Sequence, residues 1–122
     1  MTKDLDWWQR LCARIDAKDT AGFLDHLSED CEFRFASAAP VRGREAVRAA
    51  VDGFWASIGG SRHEVAGCWG DADTAVCEGR CTYTRLDGSS VTLPFVDVLH
   101  FRDGKVARYG IYIDVGPLYG SG

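Results

Sequence analysis

Residues 91–113 read VTLPFVDVLHFRDGKVARYGIYI, and this stretch decides the fold of the chain. Two segments rich in β-branched and aromatic residues, Val91 to Phe101 and Val106 to Ile113, are joined by RDGK. The Asp-Gly pair in that junction is a strong hairpin signal, so the stretch predicts two antiparallel strands. Two further strands are predicted upstream, at His63 to Trp69 and Thr74 to Arg85, because GDAD and LDGSS form the corresponding turns.

Three helices are predicted before these strands. The second, shorter helix follows Asp19 or Thr20 as its N-cap, and the third runs from Arg44 to about Ile58. Residues 31–35 alternate as a short strand between these two helices, and ASAAPVRG follows as a loop. The predicted order is therefore α-α-β-α-β-β-β-β, an α+β fold. The first helix is recognised from apolar residues at helical spacing, namely Leu5, Trp8, Leu11, Cys12 and Ile15.

The sheet is expected to curl, because long antiparallel sheets twist strongly. We expect a cone-shaped molecule in which three N-terminal helices pack on a strongly curved antiparallel β-sheet. A cavity can then remain between the helices and the concave face of the sheet. Aromatic side chains would either line that cavity or fill it, and packing is the commoner use of aromatics at such spacings.

Composition narrows the class of protein. At 122 residues the chain is predicted to form one domain, residues 1–119, with a flexible tail at 120–122. A net charge of −4 offers no basic surface for nucleic acid, and no apolar run reaches the roughly 20 residues of a membrane helix. The five cysteines are odd in number and scattered, which favours free thiols in the cytoplasm. No spacing of Cys and His residues predicts a metal site.

Asp97 is the candidate functional residue that stands out from the strand pattern. Successive strand residues point to opposite faces, so Asp97 shares a face only with apolar neighbours. Those neighbours are Leu93, Phe95, Leu99 and Phe101. An acid in an apolar row is either a functional group or a structural carboxylate. In the second case it would pair with Arg80, Tyr83 or a backbone amide, or it would face water.

The chain resembles the nuclear transport factor 2-like superfamily, and most of all its SnoaL-like and ketosteroid-isomerase-like branch. The resemblance rests on VRGREAV (41–47), LPFVDVLHFRDGKV (93–106) and YIDVGPL (112–118), together with the order of elements. It implies a cone-shaped α+β fold with a deep pocket, which this superfamily uses for many reactions and for binding alone.

Ketosteroid isomerases place a hydrogen-bond-donating Asp in a strand similar to FVDVLHF, and Asp97 matches that position. In those isomerases the acid stays neutral because its apolar site disfavours the charged form. The general-base Asp and the Tyr of those enzymes align near Arg34 and Leu11, neither of which can replace them. The resemblance therefore does not imply steroid isomerisation.

Other members of the superfamily suggest further site residues. In limonene-epoxide-hydrolase-like members an Arg and an Asp lie two apart on a long strand, where this chain has Glu78 and Arg80 with the charges exchanged. Their water-activating Asp aligns with Ile111. SnoaL-like polyketide cyclases end the last strand with a proton-transferring Asp, and Asp114 is the match. Structural alternatives remain: an ion pair within the sheet for Glu78 and Arg80, and a cap at the strand end for Asp114.

These observations predict a cofactor-independent enzyme that carries out acid/base chemistry on an apolar small molecule. The reaction would be an isomerisation, cyclisation, dehydration or hydrolysis, with Asp97, Glu78, Arg80 and Asp114 as the catalytic candidates. The alternative is a ligand-binding or dimerisation module without catalysis. An apolar outer sheet face predicts a homodimer, and His63, between Arg62 and Glu64, is expected to be solvated. The predicted pocket wall consists of Phe33, Phe35, Trp55, Phe95, Tyr109 and Ile111.

Overall fold

The computed structural model describes residues 4–119, and the predicted tail at 120–122 lies outside the described residues. The α+β class and the predicted order of the main elements are confirmed. The helices are α1 (Leu5–Asp16), α2 (Thr20–Leu24), α3 (Arg44–Ala56) and α4 (Gly116–Tyr119). The strands are β1 (Leu27–Phe35), β2 (Val41–Arg42), β3 (Gly60–Gly70), β4 (Thr74–Thr84), β5 (Ser90–Arg102) and β6 (Lys105–Ile113).

The six strands form one curled, unclosed sheet in the order β2-β1-β6-β5-β4-β3. The prediction of an antiparallel sheet is wrong at one pairing, because β1 pairs with β6 in parallel. A parallel pair needs a long crossover connection, and here α3 and the strands β3 to β5 lie between the two partners. Local turn signals specify hairpins between consecutive strands, so they carry no information about this distant pairing.

Two short elements were not predicted. Strand β2 falls in the predicted loop and pairs with β1, where Val41 lies opposite Phe33. Helix α4 is a single turn after β6, and its Leu118 is buried. Both are too short to carry a periodic pattern, so their formation depends on the surface against which they pack.

The helices begin where side-chain oxygens can accept bonds from free backbone N–H groups. Asp4 accepts from the backbone N of Trp7 at 3.0 Å at the start of α1, and Asp19 accepts from Gly22 N at 3.0 Å at the start of α2. Helix α1 then packs against β3 through its apolar side, with Trp8 and Leu11 fully buried. This contact brings the end of α1 close to the start of β3.

Strand β4 shows which face of the sheet the core occupies. Cys77, Cys81 and Tyr83 are buried, whereas Glu78 and Arg80 are exposed. Strand alternation requires this division, and the helices cover the face that carries the two cysteines and the tyrosine. All five cysteines are free thiols. Within residues 4–119, no helix is both long and apolar enough to span a bilayer.

Close approach of β3 to β4 depends on a glycine. The pairing of the two strands shifts register between Val65 and Gly67, which marks a bulge in β3. Gly79 lies opposite Val65, and a Cβ at Gly79 would overlap the carbonyl oxygen of Glu64. Only glycine allows this approach, which holds the neighbouring residue pair of His63 and Cys81 in register.

Candidate functional site

A cavity of about 200 Å³ lies between the helices and the concave face of the sheet. Its wall is mostly apolar, with many aromatic side chains, and three helices and five strands contribute to it. Asp97 also lines it. The structure brings all six residues of the predicted wall to this cavity, namely Phe33, Phe35, Trp55, Phe95, Tyr109 and Ile111.

Asp97 is buried, with 4% of its surface exposed. In the sheet it lies between Cys77 of β4 and Ile111 of β6, so neither neighbouring strand offers it a charged partner at that level. Its Oδ1 atom has no hydrogen-bond partner among the described residues. Pairing with Arg80 does not occur, because Arg80 lies on the exposed face of the sheet. Asp97 Oδ1 is therefore a buried polar atom without a partner in the described chain, on a residue that lines the cavity.

Burial controls the ionisation of Asp97. The apolar surroundings disfavour the carboxylate and raise the pKa of Asp97 to about 7, against an opposing effect of His63. A carboxyl group with a pKa near neutrality can both give and take a proton at physiological pH. Such a group suits acid/base chemistry better than an ordinary exposed aspartate does.

A second polar group on the cavity wall is His63, which Asp16 holds in place. Asp16 accepts hydrogen bonds from the backbone N of His63 at 2.9 Å and from the Ser61 hydroxyl at 2.8 Å, and it also contacts His63 Nδ1. His63 and Ser61 both line the cavity. Asp16 is the last residue of α1, and the packing of α1 on β3 makes the contact possible.

Asp16 and His63 form an ion pair at neutral pH. Burial by itself lowers the pKa of the His63 imidazole, but hydrogen bonding to Asp16 and the contact with Cys81 outweigh burial and raise that pKa to about 10. Burial likewise raises the pKa of Asp16, but hydrogen bonds and the charge of His63 outweigh it and lower that pKa below its usual value. With Nδ1 engaged, Nε2 is the nitrogen of His63 left for a ligand.

The expectation that His63 is solvated is wrong, because only 11% of its side chain is exposed. Its neighbours Arg62 and Glu64 are exposed on the other face of β3. Strand alternation between two charged residues places the residue between them on the inner face, and that signal was present in the sequence. The partner, Asp16, lies 47 residues away and left no comparable signal.

Three of the predicted catalytic residues lie away from the cavity. Glu78 and Arg80 are exposed on the outer face of β4, where they lie opposite Val96 and Pro94 of β5. Asp114 is exposed after the end of β6, where its Oδ1 accepts from Gly116 N at 2.9 Å. The expectation that these three residues act beside Asp97 is corrected by their positions, and Asp114 occupies the capping role that was its alternative.

No cluster of three or more His, Cys, Asp or Glu side chains suited to a metal ion occurs within the described residues. The polar groups at the cavity are Asp97, His63, Ser61 and two tyrosines. This set can donate to a ligand oxygen and can move a proton. It corresponds to general acid/base chemistry next to a polarised oxygen.

Comparison with known proteins agrees with the fold and with the resemblance inferred from the sequence. The family model described as a SnoaL-like domain matches residues 8–109. No curated protein sequence matches the chain.

Several solved structures share the architecture. TerC, co-crystallised with polyporic acid, superposes with a TM-score of 0.80 at 22% identity, covering 89% of each chain. A nuclear transport factor 2-like protein of unknown function from Burkholderia pseudomallei superposes with a TM-score of 0.85 at 19% identity. The match covers 97% of this chain and 95% of that protein. A Pseudomonas putida protein, provisionally assigned as a polyketide cyclase, superposes with a TM-score of 0.75 at 21% identity. The match covers 95% of this chain and 94% of that protein. At these identities the likeness concerns the fold.

Proposed function

The chain belongs to the SnoaL-like domain family, and we propose that it is a small cofactor-independent enzyme doing acid/base chemistry on an apolar small molecule. The observation that carries this proposal is Asp97, a residue that lines the cavity and whose buried carboxyl group has an Oδ1 atom that is unpaired within the described chain. A buried polar atom without a partner costs folding free energy, and a ligand that pairs with it recovers that cost.

Asp97 moves the proton in the proposed mechanism. The substrate lies against the aromatic wall with an oxygen toward the polar groups. Asp97 takes a proton from the substrate or returns one, as its near-neutral pKa permits. Proton transfer by a positioned side chain contributes about 10²- to 10⁴-fold to a rate.

His63 supplies the positive charge in the same cavity. It is held protonated by Asp16, and it stabilises negative charge that develops on the substrate oxygen. Asp16 acts through His63 and is a positioning residue. Isomerisation, cyclisation, dehydration and hydrolysis of a compound with a carbonyl, hydroxyl or epoxide all fit this division of roles.

Turnover of a substrate panel tests the proposal. Purified protein is assayed against ketones, enones and epoxides of one to three rings, with Asp97→Asn beside the wild type. The amide keeps the shape of the carboxyl group but cannot transfer the proton, so turnover should fall by about 10²-fold or more. Asp103→Asn is the matched control, because Asp103 is exposed in the β5–β6 turn and asparagine tolerates its positive φ of 53°. Equal turnover rates for wild type and Asp97→Asn would contradict the proposed role of Asp97 in proton transfer.

The alternative function is a ligand-binding or dimerisation module without catalysis. It is favoured by the outer face of the sheet, where Trp69 and Tyr112 are 53% and 59% exposed. Val76, Val96 and Val98 lie on the same face, half-buried. We propose that this surface pairs with a second copy of the chain, as large exposed apolar patches commonly mark interfaces. Light scattering coupled to gel filtration measures the assembly directly.

A reducing compartment such as the cytoplasm is proposed as the place of action. The supporting observation is that all five cysteines are free thiols, four of them buried. Oxidising compartments favour disulfides in small proteins. Fractionation of the native host, with detection of the protein in the cytoplasmic or the exported fraction, tests this point.

A further inference from the structure

The mechanism above gives no role to the hydroxyl of Tyr109, one of the polar groups at the cavity. Tyr109 lies on β6 with 1% of its surface exposed, and its ring packs against Phe23 and Phe33 at 5.5 Å between ring centroids in both cases. Its hydroxyl is buried and has no hydrogen-bond partner within residues 4–119. Because the ring is fixed on two sides, the hydroxyl has little freedom to turn toward another protein group.

Tyr109 differs from other buried polar side chains in its hydrogen-bond partners or in its place on the cavity wall. Tyr83 lines the same cavity, but its side chain has Cys81 as a hydrogen-bond partner. The Nε1 atom of Trp8 is also unpaired in the described chain, but Trp8 is not on the cavity wall. Only Asp97 and Tyr109 combine a place on the cavity wall with a buried, unpaired polar atom among the described residues.

Both atoms can serve one ligand. Leu99 and Tyr109 lie opposite each other across β5 and β6, and Asp97 is two residues before Leu99 on the same face. The two side chains therefore enter the cavity from neighbouring strands. A phenol hydroxyl donates one hydrogen bond, so the ligand must offer it an acceptor.

The size of the cavity limits the rest of the ligand. An apolar cavity of about 150 Å³ accommodates benzene, and this one measures about 200 Å³. The space therefore fits one six-membered ring with a short substituent, and a fused second ring would have to extend beyond it or move the wall. Aromatic walls also favour a flat ring over a branched chain.

We propose that the Tyr109 hydroxyl and the protonated carboxyl group of Asp97 together donate hydrogen bonds to the oxygen substituent of a one-ring ligand, and that Tyr109 is the residue that selects for a carbonyl or hydroxyl group. This inference names a substrate class for the cavity, and it rests on the proposed function only in taking that cavity as the substrate site. Binding, which does not require turnover, is its direct readout.

The test measures dissociation constants by NMR titration with acetophenone and α-methylstyrene at about pH 5.5, below the pKa of Asp97, where its carboxyl group can donate. These probes have the same shape, but the first carries a carbonyl oxygen where the second carries a methylene group. Each of the two hydrogen bonds should favour acetophenone by about 5- to 10-fold in the wild-type protein, the range expected for one added hydrogen bond. Tyr109→Phe should lower the preference for acetophenone by that single factor and leave binding of α-methylstyrene nearly unchanged.

Tyr112→Phe is the matched control, because Tyr112 lies on the same strand but is exposed on the outer face. It should keep the wild-type preference. A third probe, 2-acetylnaphthalene, tests the size limit and should bind at least 10-fold more weakly than acetophenone. Thermal unfolding of each variant shows whether it folds, and the wild-type preference among the three probes is a test that needs no variant.

Several results would overturn the anchor. They are equal wild-type affinity for acetophenone and α-methylstyrene, no binding of either, stronger binding of the two-ring ketone, or an unchanged preference in a folded Tyr109→Phe protein. The proposed function fails in a different way. Tyr109-dependent binding without turnover of any panel compound supports the anchor and contradicts the enzyme, whereas Asp97-dependent turnover with no loss in Tyr109→Phe does the reverse.

Discussion

The two faces of the sheet carry similar residues under very different conditions. Asp97 on β5 and Glu78 on β4 are one position apart in the strand register, since Cys77 lies opposite Asp97 and Glu78 lies opposite Val96. Asp97 is buried at the cavity, whereas Glu78 is exposed. Burial gives the first carboxyl group a pKa near neutrality. Position on one face, and not the type of residue, therefore separates a candidate catalytic acid from a solvated one.

The largest expected effect concerns stability on the inner face. The raised pKa of Asp97 means that the native state binds a proton more tightly than the unfolded chain does. The stabilisation is complete below about pH 4, and it is lost as pH rises through about 7, where the buried group ionises. Asp97→Asn should lack this loss and should gain about 4 kcal/mol relative to wild type between pH 4 and pH 8.

Urea unfolding at a series of pH values measures that difference. Asp103→Asn should follow the wild-type curve, because Asp103 is exposed in a turn. Parallel curves for wild type and Asp97→Asn would show that Asp97 ionises as a solvated group does, and the contrast between the two faces would disappear.

The next effect concerns the outer face and the proposed homodimer. Val98 lies between Val76 and Gly110 on that face. Val98→Lys would bury a charge in the interface, so we expect dimer affinity to fall by about 100-fold. Light scattering should then report a monomer at concentrations where the wild type is a dimer. Leu86→Lys, in the β4–β5 turn and 72% exposed, should leave the mass unchanged; a monomeric wild type would contradict the prediction.

A smaller effect is expected from the ion pair at the cavity edge. Asp16→Asn removes the negative charge that keeps the His63 imidazole protonated. The pKa of His63 should fall from about 10 toward its ordinary value of 6.5, as followed by NMR of the ring carbons. The stabilisation that a raised histidine pKa provides is complete below pH 6.5 and is lost as pH rises through about 10, so the variant should lose this slope.

Activity gives the second readout for the same variant. Turnover at pH 8 should fall about 10-fold, because the imidazole becomes neutral. Asp6→Asn, on the exposed side of α1, should change neither the titration of His63 nor the rate. An unaltered His63 titration in Asp16→Asn would disprove the ion pair.

The smallest effect is expected for the two outer charges. Glu78→Gln and Arg80→Gln should each change the free energy of unfolding by about 0.5 kcal/mol or less, as exposed substitutions usually do. Turnover should stay at the wild-type level, because neither side chain reaches the cavity. A large loss of activity in either variant would return these residues to the mechanism.

Most of the fold could be read from local patterns. The hairpin turns, the apolar spacing of α1 and the strand alternation around Asp97 depend on neighbours within a few residues. The six predicted wall residues rested on the resemblance and on the spacing of aromatic residues in strands and in α3, and all six line the cavity. Alternation also predicts an inner-face His63 between the exposed Arg62 and Glu64, but we expected His63 to be solvated because of those charged neighbours.

Contacts between segments far apart in the chain could not be predicted from these local patterns. The parallel pairing of β1 with β6 joins strands separated by α3 and four strands. The contact of Asp16 with His63 spans 47 residues. Energies of such contacts depend on which surfaces meet, and several arrangements of the same elements satisfy the local pattern equally well.

The sequence by itself determined the elements and the single acid in an apolar row, because side-chain direction in a strand follows from backbone geometry alone. Tertiary structure decided which face of β4 is buried, since Cys77, Cys81 and Tyr83 on one side and Glu78 and Arg80 on the other were both possible. Packing of the helices on one face excluded water from Asp97. Glu78, on the other face, stayed exposed to solvent. Ionisation depends on that exclusion, so the chemistry of the carboxyl group was set by packing.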